Sequence, residues 1–284
     1  MTDQNANSAV FRGTITPRYT DLDTWRHVNN SRVYQLHLEA RIQALVARFG
    51  ANAWFSDSER LRPLRTITQY REMSFYGSGI AFSVEVLGCD AQSVRLRSQL
   101  YQNGQLVGIQ DCVLGAFLNH EQVPLPAQVY NSFRTDAPAM AEPLPEAAYL
   151  ELAKDFSRFP ISRELTPRYA DMDADSQRSE AAIVRYMEQA RFGFLRTIDF
   201  GKRGLLIAAL DISFSHYRPS SNPVELVIGA SRAGNTSFQL TGGATTVHGV
   251  HAVANSVMVV VDLETGRPTP ITADIKDQLG RLQL

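Results

Sequence analysis

The chain has only two cysteines, Cys89 and Cys112. They form no CxxC pair and share no ligand spacing with a histidine, which argues against a disulfide framework and a zinc site. Two buried, reduced thiols are the expectation. An excess of one charge is missing too: 28 Lys and Arg against 29 Asp and Glu leave a formal net charge of -1. That balance gives no electrostatic footprint for nucleic acid or an anionic membrane, so an anionic ligand must be held by a local cluster. No stretch approaches the roughly 20 apolar residues of a membrane span. The first nine residues are polar and lack the apolar segment of a signal peptide. These absences predict a soluble, cytoplasmic protein with no membrane insertion, no nucleic-acid partner and, lacking a nucleotide-binding motif or metal-ligand set, no cofactor.

What is present is a repeat. Thr16-Pro17-Arg18-Tyr19-Thr20-Asp21-Leu22-Asp23 returns as Thr166-Pro167-Arg168-Tyr169-Ala170-Asp171-Met172-Asp173, with Pro17 and Pro167 standing 150 residues apart. That spacing is too long for a solenoid unit and suits a duplicated domain. The chain of 284 residues is long enough for each copy to bury its own core. The pattern predicts a first domain over 1–135, a connection over 136–160 that is rich in proline and holds a helical stretch at 146–155, and a second domain over 161–284.

Each copy repeats one order of elements. In the first, a lead-in to about residue 12 and a strand from Phe11 to Tyr19 precede a charged loop and a helix from Ser31 to Phe49, for which Asn29, Asn30 and Ser31 are all competent caps. Strand-like segments follow at 67–75, 80–87, 93–102 and 106–118, with an Asn103-Gly104 hairpin turn between the last two. In the second, a helix ending near Phe192 precedes strands at 205–217, 224–231, 237–246 and 251–262. Helical tails are read at 127–133 and 272–284. The helix after Asn30 is apolar on more than one side, at Leu36, Ala40, Ala44 and Val46 and also at Leu38, Ile42 and Leu45, so it expects to be wrapped by a sheet. The fold class is α+β.

Arg18-Tyr19, Asp21, Asp23 and His27-Val28-Asn29-Asn30, ahead of a helix carrying Glu39-Ala40-Arg41, resemble the opening signature of the hotdog-fold acyl thioesterases. The resemblance implies two tandem hotdog domains, each an antiparallel sheet wrapped round a long helix. It also implies hydrolysis of acyl-CoA or acyl-carrier-protein thioesters to free fatty acid and thiol. Single-copy hotdog proteins generally pair, and an unpaired edge strand is a liability, so the two copies are expected to form an intrachain pseudo-dimer, with further homo-oligomers left open. Either copy alone should then aggregate or homodimerise.

Thioester hydrolysis needs a base or nucleophile, donors for the developing oxyanion and a greasy channel. Asp23 is the candidate base or nucleophile, His27 the candidate partner in proton transfer, and Asn29 completes the motif. The backbone amides from Val28 to Asn30 lie at a helix start whose positive end favours an oxyanion. The bland alternative is that Asp23 and Asn29 cap turns. Plant-type acyl-carrier thioesterases carry Asn two residues before the His, where this chain has Trp25, so the resemblance supports chemistry centred on Asp23, and His27 is left either proton work or holding the loop. Glu39 is a reserve catalytic carboxylate on the helix, with a surface pair to Arg41 or Arg65 as its bland reading. Tyr70, Arg71, Tyr217 and Arg218 are candidate substrate-binding residues at the seam between copies, where Arg suits a CoA or phosphopantetheine phosphate. Phe49, Trp54, Phe55, Phe75 and Phe82 either line an acyl channel or are plain core.

The second copy has Gln177-Arg178-Ser179-Glu180 where the first has His27-Val28-Asn29-Asn30, which predicts one working site. Asp171, Asp173 and Asp175 are read as a solvated turn rather than a metal loop, and His216, His248 and His251 as strand residues. A non-catalytic acyl-thioester binding protein is the competing function. A hydratase or dehydratase is weaker, because residues 20–30 lack the Gly and Pro of that motif.

Overall fold

Alternation of period two is cleanest in Ser93–Gln102, where Val94, Leu96, Ser98, Leu100 and Gln102 are buried and every residue between them is half-buried. That is the signature of a strand with one face on a core. Two of the five inward positions are polar, and both turn out to have partners on other elements. In this computed structural model the residues described are 10–50, 59–136, 144–174, 176–215, 217 and 221–284. The chain divides into two units, Met1–Pro145 and Glu146–Leu284.

In the first unit, β1 (Val10–Ile15), α1 (Asn30–Phe49), β2 (Arg60–Tyr70), β3 (Ile80–Cys89), β4 (Ser93–Gln102), β5 (Gln105–Leu118), β6 (Glu121–Val123) and α2 (Ala127–Arg134) follow in order. The strands lie antiparallel as β1-β3-β4-β5-β2, with β6 on β5. Asn103 and Gly104, with φ of 51° and 80°, make the predicted tight turn between β4 and β5. The second unit holds α3 (Tyr149–Leu152), β7 (Ile161–Leu165), α4 (Glu180–Leu195), β8 (Arg203–Phe214), β9 (Val224–Ala233), β10 (Ser237–Thr246), β11 (Gly249–Asp262) and α5 (Ala273–Arg281). Its strand order, β7-β9-β10-β11-β8, is that of the first unit strand for strand. The fold is α+β, and the repeat seen in the sequence is a repeat of topology.

The helix α1 packs on β1, β3 and β4. Val33, Leu36, Ala40 and Leu45 are buried, while Leu38, Ile42, Ala44 and Val46 are half-buried. Also buried are Tyr34, His37 and Arg41, which the apolar reading passed over. Tyr34 Oη lies 3.1 Å from Thr66 Oγ1, His37 Nδ1 lies 2.8 Å from Ser98 Oγ, and Arg41 donates to Gln110 Oε1 at 3.0 Å. Burying a row of polar groups is tolerable because each meets a partner on the sheet. Gly108 makes room for one of them: a Cβ there would lie 2.8 Å from His37 Nε2.

Some boundaries move. The second strand is Arg60–Tyr70 rather than 67–75, because Gln102 captures the chain beyond it, accepting from Phe75 N–H at 2.8 Å and donating to Phe75 O at 2.7 Å. The first strand ends at Ile15, ahead of Pro17. Part of the predicted connection is packed: Tyr149 is buried and its hydroxyl donates to Asp211 Oδ1 at 2.7 Å. Cys89 and Cys112 are both buried thiols. Phe82 is core under Gly13, Phe49 packs on Phe133, and Phe75 is exposed; Trp54 and Phe55 lie outside the described residues. Among the described residues no helix is long and apolar enough to cross a membrane.

Candidate active site

The chain leaves β1 at Ile15 and makes a short 3-10 turn, Tyr19–Asp21, closed by the Asp21 carboxylate, which accepts the Arg18 N–H at 2.8 Å. Leu22 then bridges to Val28. Inside that bridge Asp23 N–H donates to His27 O at 2.9 Å and Arg26 N–H to Asp23 O at 3.1 Å. The loop is tight enough to force Arg26 to φ 67°, a left-handed conformation that costs a non-glycine residue about 1 kcal/mol. Its effect is to bring the Asp23 and His27 side chains together: Asp23 Oδ2 lies 3.0 Å from His27 Nδ1. The other carboxylate oxygen, Oδ1, accepts the Trp25 N–H at 2.8 Å. The Trp25 ring, half exposed, meets the His27 ring edge-on at 6.1 Å between centroids.

A neutral imidazole that donates from Nδ1 to a carboxylate keeps its lone pair on Nε2. His27 Nε2 is buried and has no hydrogen-bond partner. The pair is thus arranged as an oriented base with a free acceptor. Both oxygens of Asp23 are engaged, one by Trp25 and one by His27.

The other predicted site residues divide. Asn29 is the N-cap of α1, its Oδ1 accepting from Ser31 N–H at 2.7 Å and from Ser31 Oγ at 2.7 Å. The expectation that amides near Val28 await an oxyanion is corrected at two positions. Val28 is buried, and its N–H donates to Ser74 O at 2.7 Å; that of Asn29 donates to Asp21 O at 2.8 Å. A donor spent inside the fold has nothing left for a ligand. Asn30 begins α1. Glu39 is exposed and accepts from Gln43 Nε2 at 2.9 Å in the next turn of α1. Tyr70 closes β2 and packs against the first core; Arg71 is exposed, with its guanidinium on Gln69. Tyr217 is buried and stacked on Phe214, while Arg218 lies outside the described residues. Among the described residues, no three His, Cys, Asp or Glu side chains gather where they would hold a metal ion.

Sequence reasoning missed Ser74. It is 1% exposed, its carbonyl holds Val28, and its Oγ is buried with no partner. Nothing in a single serine between Met73 and Phe75 announces this. The available signal was Gln102, a polar residue at an inward strand position, whose bonds to Phe75 and to Ser78 O fix the 71–78 segment.

The second copy repeats the backbone and changes the chemistry. Asp173 N–H donates to Gln177 O at 2.7 Å, Ser176 stands at φ 57° and Met172 bridges to Arg178. Gln177 N–H donates to Asp173 Oδ1 at 3.0 Å, but no imidazole is present. Arg178, in the place of Val28, is 4% exposed and donates to Asn222 O at 2.5 Å; its charge is buried but partnered. The reading of Asp171 as part of a solvated turn is corrected. Its side chain is 1% exposed and accepts from Arg168, Arg185 and Tyr186. Burial pushes its carboxyl up, but the Arg168 amide and guanidinium with Arg185 and Tyr186 outweigh that and hold it down at about 2. Asp175 and His216 lie outside the described residues.

Comparison with known proteins places this geometry. The family model described as thioesterase-like superfamily matches residues 167–279, the copy with the poorer motif. A search of curated proteins found no significant match. Among solved structures the chain is similar to a 12:0-ACP thioesterase from Umbellularia californica, with TM-score 0.72 and 11% identity over 89% of this chain and 94% of that one. It is similar also to an acyl-ACP thioesterase from Bacteroides thetaiotaomicron, with TM-score 0.65 and 12% identity over 90% of this chain and 100% of that one. Identities this low speak to fold, and here the fold runs the length of both partners. The chain thus shares the fold of these thioesterases over most of its length, and its second copy, residues 167–279, matches the thioesterase-like superfamily.

Proposed function

We propose that this chain hydrolyses acyl thioesters, carried on CoA or on an acyl-carrier protein, with His27 as general base and Asp23 as the group that orients it. The observation that carries the reading is the Asp23–His27 pair at 3.0 Å with a buried, unpartnered Nε2. Water held at Nε2 gives up a proton as its oxygen attacks the thioester carbonyl carbon. The tetrahedral intermediate then collapses, the C–S bond breaks, and the proton on His27 passes to the departing sulfur. Fatty acid and free thiol leave, and the imidazole is neutral again. Asp23 keeps the Nδ1 tautomer and stabilises the imidazolium that forms between the two steps. This modifies the sequence reading, in which Asp23 acted directly, because both of its oxygens are already bonded.

The acyl-ACP thioesterases that share the fold favour an acyl carrier as substrate. A thiol-release assay with acyl-CoA and acyl-carrier-protein substrates tests the proposal. Wild type should liberate thiol, and Asp23→Asn and His27→Gln should each lose ~10²-fold or more in kcat, the scale of a positioned base. Binding of acyl thioester without thiol release would make the protein a binder and overturn the reading.

A further inference from the structure

Hydrolysis by a His27 base leaves one requirement unmet, a donor for the negative charge on the carbonyl oxygen. The amides nearest the base are unavailable, since Val28 N–H is spent on Ser74 O and Asn29 N–H on Asp21 O. The first of those bonds has a second consequence. At 2.7 Å it ties the residue after His27 directly to Ser74. Two buried side-chain atoms without partners, His27 Nε2 and Ser74 Oγ, therefore sit on segments joined by one hydrogen bond.

A buried hydroxyl left unpaired costs about 1–3 kcal/mol, and a buried lone pair on an imidazole is a similar burden. A serine hydroxyl rotates to any acceptor within reach, so the unpartnered Ser74 Oγ is a donor open to an incoming acceptor. The segment carrying Ser74 is also held still: Gln102 bonds both polar groups of the Phe75 backbone and Ser78 O, and is itself buried. A buried, unsatisfied donor and a buried, unsatisfied acceptor, carried on segments joined by a backbone hydrogen bond, suit a ligand that brings an acceptor and a donor together. A thioester carbonyl and its attacking water form such a pair. Four residues beyond the Tyr of the second Tyr-Arg pair stands Ser221, which is exposed, so the feature belongs to the first copy.

We propose that Ser74 is a catalytic residue, its hydroxyl donating to the thioester carbonyl oxygen as that oxygen becomes an oxyanion, while His27 takes the proton of water. No proton leaves Ser74: its O–H bond stays intact, and the hydrogen bond strengthens as charge develops and weakens as the carbonyl re-forms and the thiol, protonated by His27, departs. This inference rests on the hydrolytic function proposed above.

The test compares wild type, Ser74→Ala, Ser74→Cys and Ser74→Thr for thiol release from a chain-length series of acyl-CoA substrates, with thermal melts alongside. Ser74→Ala should lower kcat by about 10²-fold, with KM little changed and the pH profile keeping its shape, since the base remains. Its melting temperature should hold or rise, because an unsatisfied buried hydroxyl has been removed. Ser74→Cys, a weak donor of similar size, should be nearly as slow, and Ser74→Thr should recover most of the rate. Full activity in a folded Ser74→Ala overturns the inference and leaves the thioesterase reading standing, as does a loss of rate that merely tracks a lowered melting temperature. A wild type that releases no thiol from any substrate overturns both.

Discussion

At the scale of single residues, His37 shows how burial sets a charge state. It is wholly buried on α1, bonded through Nδ1 to Ser98, with Nε2 unpartnered above Gly108. Desolvation, with the Arg41 charge adding to it, lowers its pKa from 6.5 to about 3. The folded ring therefore stays neutral where the unfolded one takes a proton. Below 6.5 the unfolded chain binds more protons, so stability falls as pH drops from about 6.5 towards 3. The lowered carboxyl of Asp171 loses its contribution only below about pH 4, so the effect of His37 is read in the upper part of the window. Melting temperature should therefore drop between pH 6.5 and 4.5 in wild type and drop less in His37→Gln. Equal slopes for the two proteins would remove His37 from the account.

At the scale of elements, α1 begins where a side chain satisfies its free amides. Three adjacent residues were competent caps, and Asn29 takes the role through Ser31 N–H; in α4 it falls to Ser179, which accepts from Ala182 N–H at 3.1 Å. Asn29 thus has a sufficient reason to exist without touching substrate. Asn29→Ala should cost about 1 kcal/mol of stability with kcat within a few-fold of wild type, and Asn29→Asp should cost little in either. A folded Asn29→Ala that has lost ~10²-fold in kcat would restore its place among the catalytic residues. The strands carry the same lesson. Ser98 and Gln102, at inward positions of β4, look like flaws in the apolar pattern until their partners, His37 and the Phe75 backbone, are seen.

At the scale of the whole molecule, two copies share topology and loop backbone but not chemistry. Loop closure by Asp23–His27 and by Asp173–Gln177 is the same pair of backbone bonds with a similar positive φ. A glutamine amide hydrogen-bonds but does not shuttle a proton, and Arg178 fills the place of Val28 with a buried, partnered guanidinium. Asp173→Asn should therefore leave most thioesterase activity in place, whereas Asp23→Asn removes most of it. Binding titration with a non-hydrolysable acyl thioester analogue should give one acyl site per chain. Equal losses near half from the two substitutions would reveal two independent sites.

The sequence by itself determined what is periodic or local: the duplication, the helices, the Asn103-Gly104 turn, and the candidacy of Asp23 and His27, which lie close enough along the chain for one tight loop to join them. It left open what depends on atoms brought together from distant positions. Whether Asp23 acts directly or through His27 turns on which oxygen faces which nitrogen. Whether the Val28 and Asn29 amides are free turns on Ser74 and Asp21. Tyr34, His37 and Arg41 read as interruptions in an apolar helix because their partners lie on strands dozens of residues away. A hydrogen bond has no signature in one of its two residues, and only the folded chain shows whether a donor is spent or waiting.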